Sequence, residues 1–219
     1  MTDIGRRFDH ALLVGCPSPD WRVRLEGVAT MVDSFDPGPA FARTAGGTWG
    51  EEDRYDFGVV RYDLIVAVGT FDTVNGLPAA LAALRRALQP DAPLIGALAG
   101  GDTLPALRAA MIEADRASGP VAARTHPRIE APTLASLLHG AGLCMAVVDI
   151  DRVRLRYPTL DALIRDLRAM GASNALADRA PGRGRRWADR ASAAFRAQAI
   201  DGATEERVDI LHFIAWAPS

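Results

Sequence analysis

Residues 63–88 read DLIVAVGTFDTVNGLPAALAALRRAL, and this stretch decides the fold class. Leu64–Val68 is a continuous apolar run of strand length, as expected for a strand in a sheet that is covered on both faces. After a short loop, Leu77–Leu88 repeats leucine at spacings of four, three and four residues, which places these side chains on one helix face. A buried strand followed by an amphipathic helix predicts an α/β fold.

The same alternation continues along the chain. Apolar runs of strand length recur at Ala11–Val14, Val28–Val32, Leu94–Leu98, Met145–Ile150 and Ile210–Ala215. Helical patterns cover Leu104–Ala117, Thr133–His139, Thr159–Met170 and Arg185–Ile200. Val153–Tyr157 alternates polar and apolar residues and predicts an edge strand. Because no internal repeat and no long linker interrupts this order, we expect a mainly parallel sheet within one domain over residues 1–219.

Composition limits the classes of function. The 219 residues are 49% hydrophobic and 24% charged, which suffices for a buried core. A net charge of −2 gives no argument for a nucleic-acid partner or an anionic membrane. Every basic residue is arginine, so lysine nucleophiles and Schiff bases are excluded. Without a long apolar segment or a signal-peptide pattern, the sequence predicts a cytoplasmic protein that has no transmembrane segment.

The cysteines and histidines predict no metal site. Cys16 and Cys144 lie far apart in sequence, each beside an apolar run, and free thiols are the expected state. The four histidines lack ligand spacing, and no pattern of two histidines with one carboxylate is visible.

Four stretches then carry a family resemblance. They are RRFDHALLVG at 6–15, DLIVAVGTFDTVNGLP at 63–78, LAGGDTLPAL at 98–107, and YPTLDALIRDLRAMGASNAL at 157–176, the last preceded by VDIDRVRL. Together with the order of elements, they resemble the class I S-adenosylmethionine-dependent methyltransferase-like family. Within it they are similar to the methyltransferase-like assembly factor of respiratory complex I and its bacterial relatives. A wider relative is the malonyl-carrier-protein methyltransferase of biotin synthesis.

The resemblance implies a Rossmann-like fold with helices on both faces of the sheet and a degenerate N-terminal third. It also implies S-adenosylmethionine at the carboxyl ends of the strands, where the first loop of the family reads D-x-G-x-G-x-G. Leu13 replaces the acid, Gly15 keeps the first glycine, and Pro17 and Pro19 replace the others. Since each proline fixes φ and removes an N–H donor, we expect weak or absent cofactor binding. The alternative is a simple tight turn.

Other cofactor-side candidates follow the second, third and fourth strands. Asp33 and Ser34 follow Gly15 at close to the sequence separation at which a carboxylate binds the ribose hydroxyls of the cofactor. The alternative is that they cap a helix or form a turn. Glu51, Glu52 and Asp53 stand where the family often has an acid near the adenine. The alternatives there are a solvated acidic turn or pairing with Arg43, Arg54 or Arg61.

The fourth strand contributes candidates from its loop. Gly69 and Thr70 follow the strand at the ligand-facing edge of the sheet. Asp72 and Thr73 replace a His-Trp pair of the relatives, which leaves Asp72 as the candidate general base if it is buried. After the fifth strand, Asp102 is a candidate substrate residue, with helix capping by Asp102 or Thr103 as the alternative.

The region Arg152–Asn174 is the candidate partner surface. Arg152, Arg154 and Arg156 alternate on one strand face, and Arg168 follows on the next helix. Such arginines bind carboxylates of an acidic partner or substrate by bidentate contacts, and Tyr157 and Asn174 complete the candidate set. The alternative is a solvated edge whose arginines pair with nearby aspartates.

Three functions follow from these observations. The first is a binding or assembly module, a pseudoenzyme that keeps the methyltransferase-like fold with a diverged cofactor loop. The second is an active S-adenosylmethionine-dependent methyltransferase acting on a small molecule or a protein. The third is a protein arginine hydroxylase-like assembly factor, as the resemblance to the complex I factor implies. Fold alone does not choose among them.

Overall fold

The computed structural model describes residues 6–58, 61–172, 180 and 183–219. Its strands are β1 (Phe8–Val14), β2 (Ala29–Asp36), β3 (Thr48–Trp49), β4 (Leu64–Val68), β5 (Pro93–Gly100), β6 (Cys144–Tyr157) and β7 (Thr204–Trp216). Its helices are α1 (Pro19–Glu26), α2 (Pro39–Thr44), α3 (Leu77–Ala87), α4 (Pro105–Arg116), α5 (Ala131–Gly140), α6 (Leu160–Ala169) and α7 (Gly184–Arg196).

The strands form one sheet in the order β3-β2-β1-β4-β5-β7-β6. Parallel pairing joins β1 to both β2 and β4, β2 to β3, and β4 to β5. Leu13 lies opposite Ser34 on one side and Val66 on the other. Parallel strands in this register bring the carboxyl ends of β1, β2 and β4 to the same edge, which is where ligands bind in open α/β sheets. The predicted α/β class with a mainly parallel sheet is confirmed.

The described chain divides into two compact units. The first comprises Met1–Leu98, Glu130–Ile150 and Leu211–Ser219, and the second comprises Ala99–Ile129 and Asp151–Ile210. Because three strands pass from one unit to the other, neither unit is a continuous piece of sequence. The expectation of a single domain over residues 1–219 stays a prediction.

Each unit has its own apolar core. In the first, α1 packs on β1 and β2 around Ala11, Leu13 and Val32, all buried. In the second, α4 packs on α7 through Leu107, Ala110 and Phe195. Full burial of the larger of these side chains, the leucines, Val32 and Phe195, contributes about 1.5–3 kcal/mol each relative to exposure.

The elements that were hardest to predict lie between β1 and β4. Three elements of this region had no counterpart in the predicted pattern, namely α1, α2 and β3. Here β2 continues past the apolar run to Asp36, and β3 has only two residues. Farther along, Met145–Ile150 and Val153–Tyr157 are one continuous strand, β6.

Candidate functional site

Gly15 begins the loop after β1 and is required by its surroundings. Its φ is +83°, and a Cβ atom built there would lie 2.0 Å from the carbonyl oxygen of Val68. Its N–H donates to the carbonyl oxygen of Phe35 at 2.8 Å. Only glycine tolerates this approach of two strand ends. Leu13, where the family has an acid, is fully buried in the core.

The two prolines of the loop lead into α1. Pro19 is the first residue of the helix, where a missing N–H costs the helix nothing. Ser18 is the N-cap, and its side chain accepts a hydrogen bond from the Asp20 N–H at 3.3 Å. Pro17 and Pro19 are both exposed. The loop therefore keeps the first glycine of the family pattern. Pro17 and Pro19 occupy the other two glycine positions and supply no amide donors there, and Pro19 starts α1.

The carboxylate at the end of β2 is Asp36, which the sequence reasoning missed. Its Oδ2 accepts from the Cys16 N–H and its Oδ1 from the Gly38 N–H, both at 2.6 Å. Asp36 is buried. Burial raises its pKa above the ordinary value, while the two amide hydrogen bonds hold part of that rise back. Asp36 thus ties the β1 loop to the end of β2.

Asp33 and Ser34 lie inside β2, three and two residues before its end. Asp33 pairs with Leu12 in the register, and its Oδ2 accepts from the Tyr62 hydroxyl and contacts His10 Nε2, both at 3.0 Å. Ser34 is buried and its hydroxyl accepts from Arg22 at 3.3 Å. The strand-end position assumed for Asp33 belongs to Asp36, because β2 continues through Phe35 into the core.

Glu52 is a buried carboxylate beside this edge, with 4% of its surface exposed. Its Oε1 and the Thr70 Oγ1 are both buried without a hydrogen-bond partner within the described part of the chain. Burial raises the pKa of Glu52 to about 6, while the Glu52 amide and the adjacent Thr70 side chain hold part of the rise back, and the Asp36 and Asp53 carboxylates add to it. The desolvation of Glu52 is thus compensated only in part, and its Oε1 can accept a further donor.

The other residues of the acidic segment, Glu51 and Asp53, contact neighbouring parts of the chain. Glu51 is exposed and pairs with Arg54 at 2.8 Å, so this residue combines the two alternatives, a solvated turn and pairing with Arg54, whereas the buried Glu52 is not part of a solvated turn. Asp53 packs against Gly76, the N-cap of α3, where a Cβ would come within 2.7 Å of Oδ2. A carboxylate at a helix N-terminus is stabilised by the helix dipole.

The loop after β4 holds the remaining candidates of this unit. Gly69 has a φ of +72° and donates its N–H to the carbonyl oxygen of Ala97 at 3.1 Å. Thr73 closes a turn by donating its N–H to the carbonyl oxygen of Thr70 at 2.9 Å. Asp72 lies in this turn and is half-buried. Its role as a general base stays a prediction.

Asp102 belongs to the second unit and does not cap α4. Its carboxylate is half-exposed and binds Arg108 and Arg207, the latter at 2.7 Å. The N-cap is instead Leu104, in the left-handed conformation with φ 56°. The buried Glu206 of β7 accepts from two N–H groups of the first helical turn, at 3.1 and 2.7 Å. The expected capping by Asp102 or Thr103 is therefore wrong.

The candidate partner residues are largely exposed. Arg154 has 77% of its side chain exposed and lies 3.9 Å from Glu205, and Arg156 donates to the carbonyl oxygen of Ile200 at 2.7 Å. Arg168 is exposed in the last turn of α6. Tyr157 is half-buried; burial and a hydrogen bond with Asp166 raise its pKa. Asn174 lies outside the described residues.

Arg152 has its carboxylate neighbour on β7, as Arg154 does. It lies 3.8 Å from Asp209. The alternative in which the arginines pair with Asp149, Asp151, Asp161 and Asp166 is therefore wrong for Arg152 and Arg154, whose carboxylate neighbours lie on β7.

Three further properties concern the described residues as a whole. Cys16 and Cys144 are free thiols, as predicted, and burial raises the pKa of Cys16 to about 11. Across residues 6–58, 61–172, 180 and 183–219, no cluster of three His, Cys, Asp or Glu side chains is arranged to hold a metal ion. Within the same ranges, every helix is too short or too polar to cross a membrane.

Known proteins resemble the chain in sequence. The arginine-hydroxylase NDUFAF5, mitochondrial, of Danio rerio is 33% identical over 228 residues, covering 99% of this chain and 71% of that protein. The malonyl-[acyl-carrier protein] O-methyltransferase of Laribacter hongkongensis is 32% identical, covering 72% of this chain and 52% of that protein. The chain thus spans about half of the second relative. No family model matches the chain.

Solved structures resemble the chain in fold. A candidate methyltransferase from Bacillus halodurans has a TM-score of 0.66 at 11% identity, covering 97% of this chain and 94% of its own. The N-methyltransferase NodS from Bradyrhizobium japonicum, solved with S-adenosyl-L-homocysteine, has a TM-score of 0.51 at 15% identity, covering 97% of this chain and 80% of its own. These similarities establish the Rossmann-like class I methyltransferase fold.

Proposed function

Because the chain belongs to the methyltransferase-like family of the arginine-hydroxylase NDUFAF5, we propose that it is a binding or assembly module of that family with weak or absent S-adenosylmethionine binding. The observation that carries the proposal is the edge formed by the β1 loop and the end of β2. There Pro17 and Pro19 supply no amide donors, and each oxygen of Asp36 already accepts an N–H group of the chain.

The residues at this edge fit an ordinary S-adenosylmethionine site poorly. Pro17 and Pro19 supply no N–H groups, so two of the usual backbone donors are missing. Both oxygens of Asp36 already accept from the amides of Cys16 and Gly38. Each oxygen keeps one acceptor position, so a vicinal diol would have to bind the two positions that remain, beside the two amides and in a buried setting.

The partner part of the proposal rests on the exposed arginines of the second unit. Arg154 and Arg156 project from β6, and Arg168 lies on α6, all exposed. Guanidinium groups bind carboxylates in a bidentate manner, so an acidic protein surface is the partner of matching chemistry. The predicted segment Arg152–Asn174 thus supplies the binding face, with Asp102 engaged by Arg108 and Arg207 of the same unit.

Active methyl transfer is the second candidate function, and one observation favours it. Glu52 Oε1 and Thr70 Oγ1 are buried and make no hydrogen bond of good geometry in the described chain beyond the approach of these two side chains to each other, as expected where a ligand supplies further hydrogen bonds. An arginine hydroxylase-like activity rests on similarity to the Danio rerio arginine-hydroxylase alone.

Thermal unfolding with and without S-adenosylmethionine tests the proposal. A ligand at about 100 times its Kd stabilises by about 2.7 kcal/mol, which shifts the midpoint by about 5–10 °C for a chain of this size. We expect a shift of less than about 1 °C at millimolar cofactor or demethylated product. A shift of the full size, weaker with ATP, would overturn the proposal and support the active enzyme.

A further inference from the structure

A cavity of about 340 Å³ lies beside β2 in the first unit. Its volume falls in the range of small-molecule sites. Leu12 and Asp33 form part of its wall from the sheet, and Tyr55, Phe57 and Tyr62 form another part from the segment before β4. The lining includes none of the cofactor-edge groups, namely Gly15, Asp36, Glu52 and Thr70. The cavity is therefore a separate site on the same unit.

Asp33 places a carboxylate in the wall of this cavity. Its Oδ2 accepts from the Tyr62 hydroxyl and contacts His10 Nε2, both at 3.0 Å. These two contacts fix the side chain, and 53% of it remains exposed. A carboxylate offers about four acceptor positions, so Asp33 can bind a further donor or a cation while both contacts persist.

The aromatic side chains of the wall stand at steep angles to each other. The rings of Tyr55 and Phe57 are 4.9 Å apart at 69°, and Phe35 packs against both at 4.5 and 5.2 Å. Aromatic faces carry negative electrostatic potential and attract cations, most strongly where several rings meet. Together with Asp33 they make an environment that favours positive charge.

Arg22 is the cationic residue of the lining, and its charge is already engaged. Its Nε donates to Glu26 at 2.9 Å, and its NH1 donates to the carbonyl oxygen of Ala45 at 2.9 Å. Its NH1 also donates to the Ser34 hydroxyl at 3.3 Å, so Glu26 balances its formal charge and its donors are bound to groups of the chain. The charge of Asp33 is then the feature that selects a ligand.

We propose that this cavity binds a small organic cation of the alkylammonium class. The cation lies against the Tyr55, Phe57 and Tyr62 rings, and Asp33 balances its charge. This site goes beyond the proposed function, because it uses neither the cofactor edge nor the exposed arginines.

Calorimetric titration of the full chain with choline and with its neutral isostere 3,3-dimethylbutan-1-ol tests the site. We expect choline to bind at millimolar concentration and the isostere to bind at least about tenfold more weakly, because cation–π and charge attraction need the positive charge. Equal binding of the two compounds, or no binding of choline, would overturn the proposal.

Two variants locate the binding. Asp33→Asn keeps the shape of the side chain, and we expect about tenfold weaker choline binding. Asp9→Asn, an exposed change on β1 outside the cavity, is the matched control and should leave choline affinity unchanged.

Tyr55→Leu removes one aromatic wall and should also weaken choline binding, which keeps the test valid if Asp33→Asn does not fold. Unchanged affinity in a folded Asp33→Asn or Tyr55→Leu protein contradicts the site, as does displacement of choline by S-adenosylmethionine.

Discussion

Glu52 and Asp115 are both buried carboxylates, and their surroundings have opposite effects on them. Glu52, in the first unit, has an oxygen without a partner among the described residues, and burial raises its pKa to about 6. Asp115, in the second, is 1% exposed, yet hydrogen bonds from Arg124 lower its pKa to about 2. Burial is common to both, so the partners decide the sign of the shift.

The partners of Asp115 show what full compensation requires. Arg124 binds both carboxylate oxygens, at 2.7 to 3.0 Å, and the Trp187 Nε1–H donates at 2.8 Å. The Ala122 N–H and Arg183 complete the set. This network joins α4, the segment after it and α7, and is therefore structural. By comparison, Glu52 Oε1 has no such set of partners among the described residues. We expect a buried carboxylate with an unfilled acceptor position at a surface that binds a ligand.

Removing the charge of Asp115 should give the largest effect. Asp115→Asn leaves Arg124 without its buried counter-ion, which we expect to destabilise the protein by about 3–5 kcal/mol. Urea unfolding measures this loss. Asp102→Asn is the control, because Asp102 pairs with two arginines while half-exposed. Its cost should stay within about 1 kcal/mol. Equal losses in the two variants would contradict the distinction between compensated burial and surface pairing.

Neutralising Glu52 should have the opposite sign. Glu52→Gln removes a charge that burial disfavours, and we expect a gain of about 2 kcal/mol at pH 7 or above. Glu51→Gln, at the exposed neighbour, should change stability by less than about 0.5 kcal/mol. A loss of stability in Glu52→Gln at neutral pH would show that the charged form is the favoured one.

The pH dependence separates the two carboxylates further. The folded pKa of Glu52 lies above the unfolded value, so its contribution is present below about pH 4.5 and is lost as the pH rises through about 6. The folded pKa of Asp115 is depressed, so its contribution is present above about pH 4 and is lost as the pH falls toward 2. In Glu52→Gln the decline between pH 4.5 and 6 should become shallower.

Restoring the loop glycines tests whether the incomplete edge can still accept a cofactor. Pro17→Gly with Pro19→Gly returns two amide donors, and we expect S-adenosylmethionine affinity to rise about tenfold. Calorimetry on the double variant and the natural protein measures the ratio. Unchanged affinity would mean that Asp36, held by the Cys16 and Gly38 amides, is the principal obstacle.

The exposed arginines should give the smallest change in stability. Arg154→Ala with Arg156→Ala removes surface contacts, so the melting temperature should stay within about 3 °C. Capture of an acidic partner from a lysate should fall in the same variant, measured by pull-down. Arg24→Ala, at an exposed position of α1, is a control that should retain capture. Unchanged capture in the double variant would remove the partner surface.

The sequence predicted the regular part of the fold because its periodicity is local. The apolar run Leu64–Val68 predicts a strand, and the leucine spacing of α3 predicts a helix, from a short stretch of neighbouring residues alone. The end of β2 was misplaced because Asp33 interrupts the apolar run, although Phe35 continues it into the core. Asp36 could have been identified from the sequence, because it lies 21 residues after Gly15, close to the spacing expected for a ribose carboxylate.

Contacts between distant segments could not be predicted. The capping of α4 by Glu206 joins residues about 100 positions apart, and no local pattern announces it. No local pattern predicts the two-residue strand β3 either, because its position depends on pairing with Phe35 and Asp36. The burial of Glu52 beside an exposed Glu51 likewise depends on tertiary packing.

The cap supplied by Glu206 also bears on how the chain is made. Ribosomal synthesis delivers α4 long before β7, so the first turn of α4 leaves the ribosome without its acceptor. Leu104, with its left-handed backbone, has no local side-chain cap to stabilise it meanwhile. The start of α4 is therefore completed only after β7 has been synthesised, and the second unit cannot reach its final form before that point.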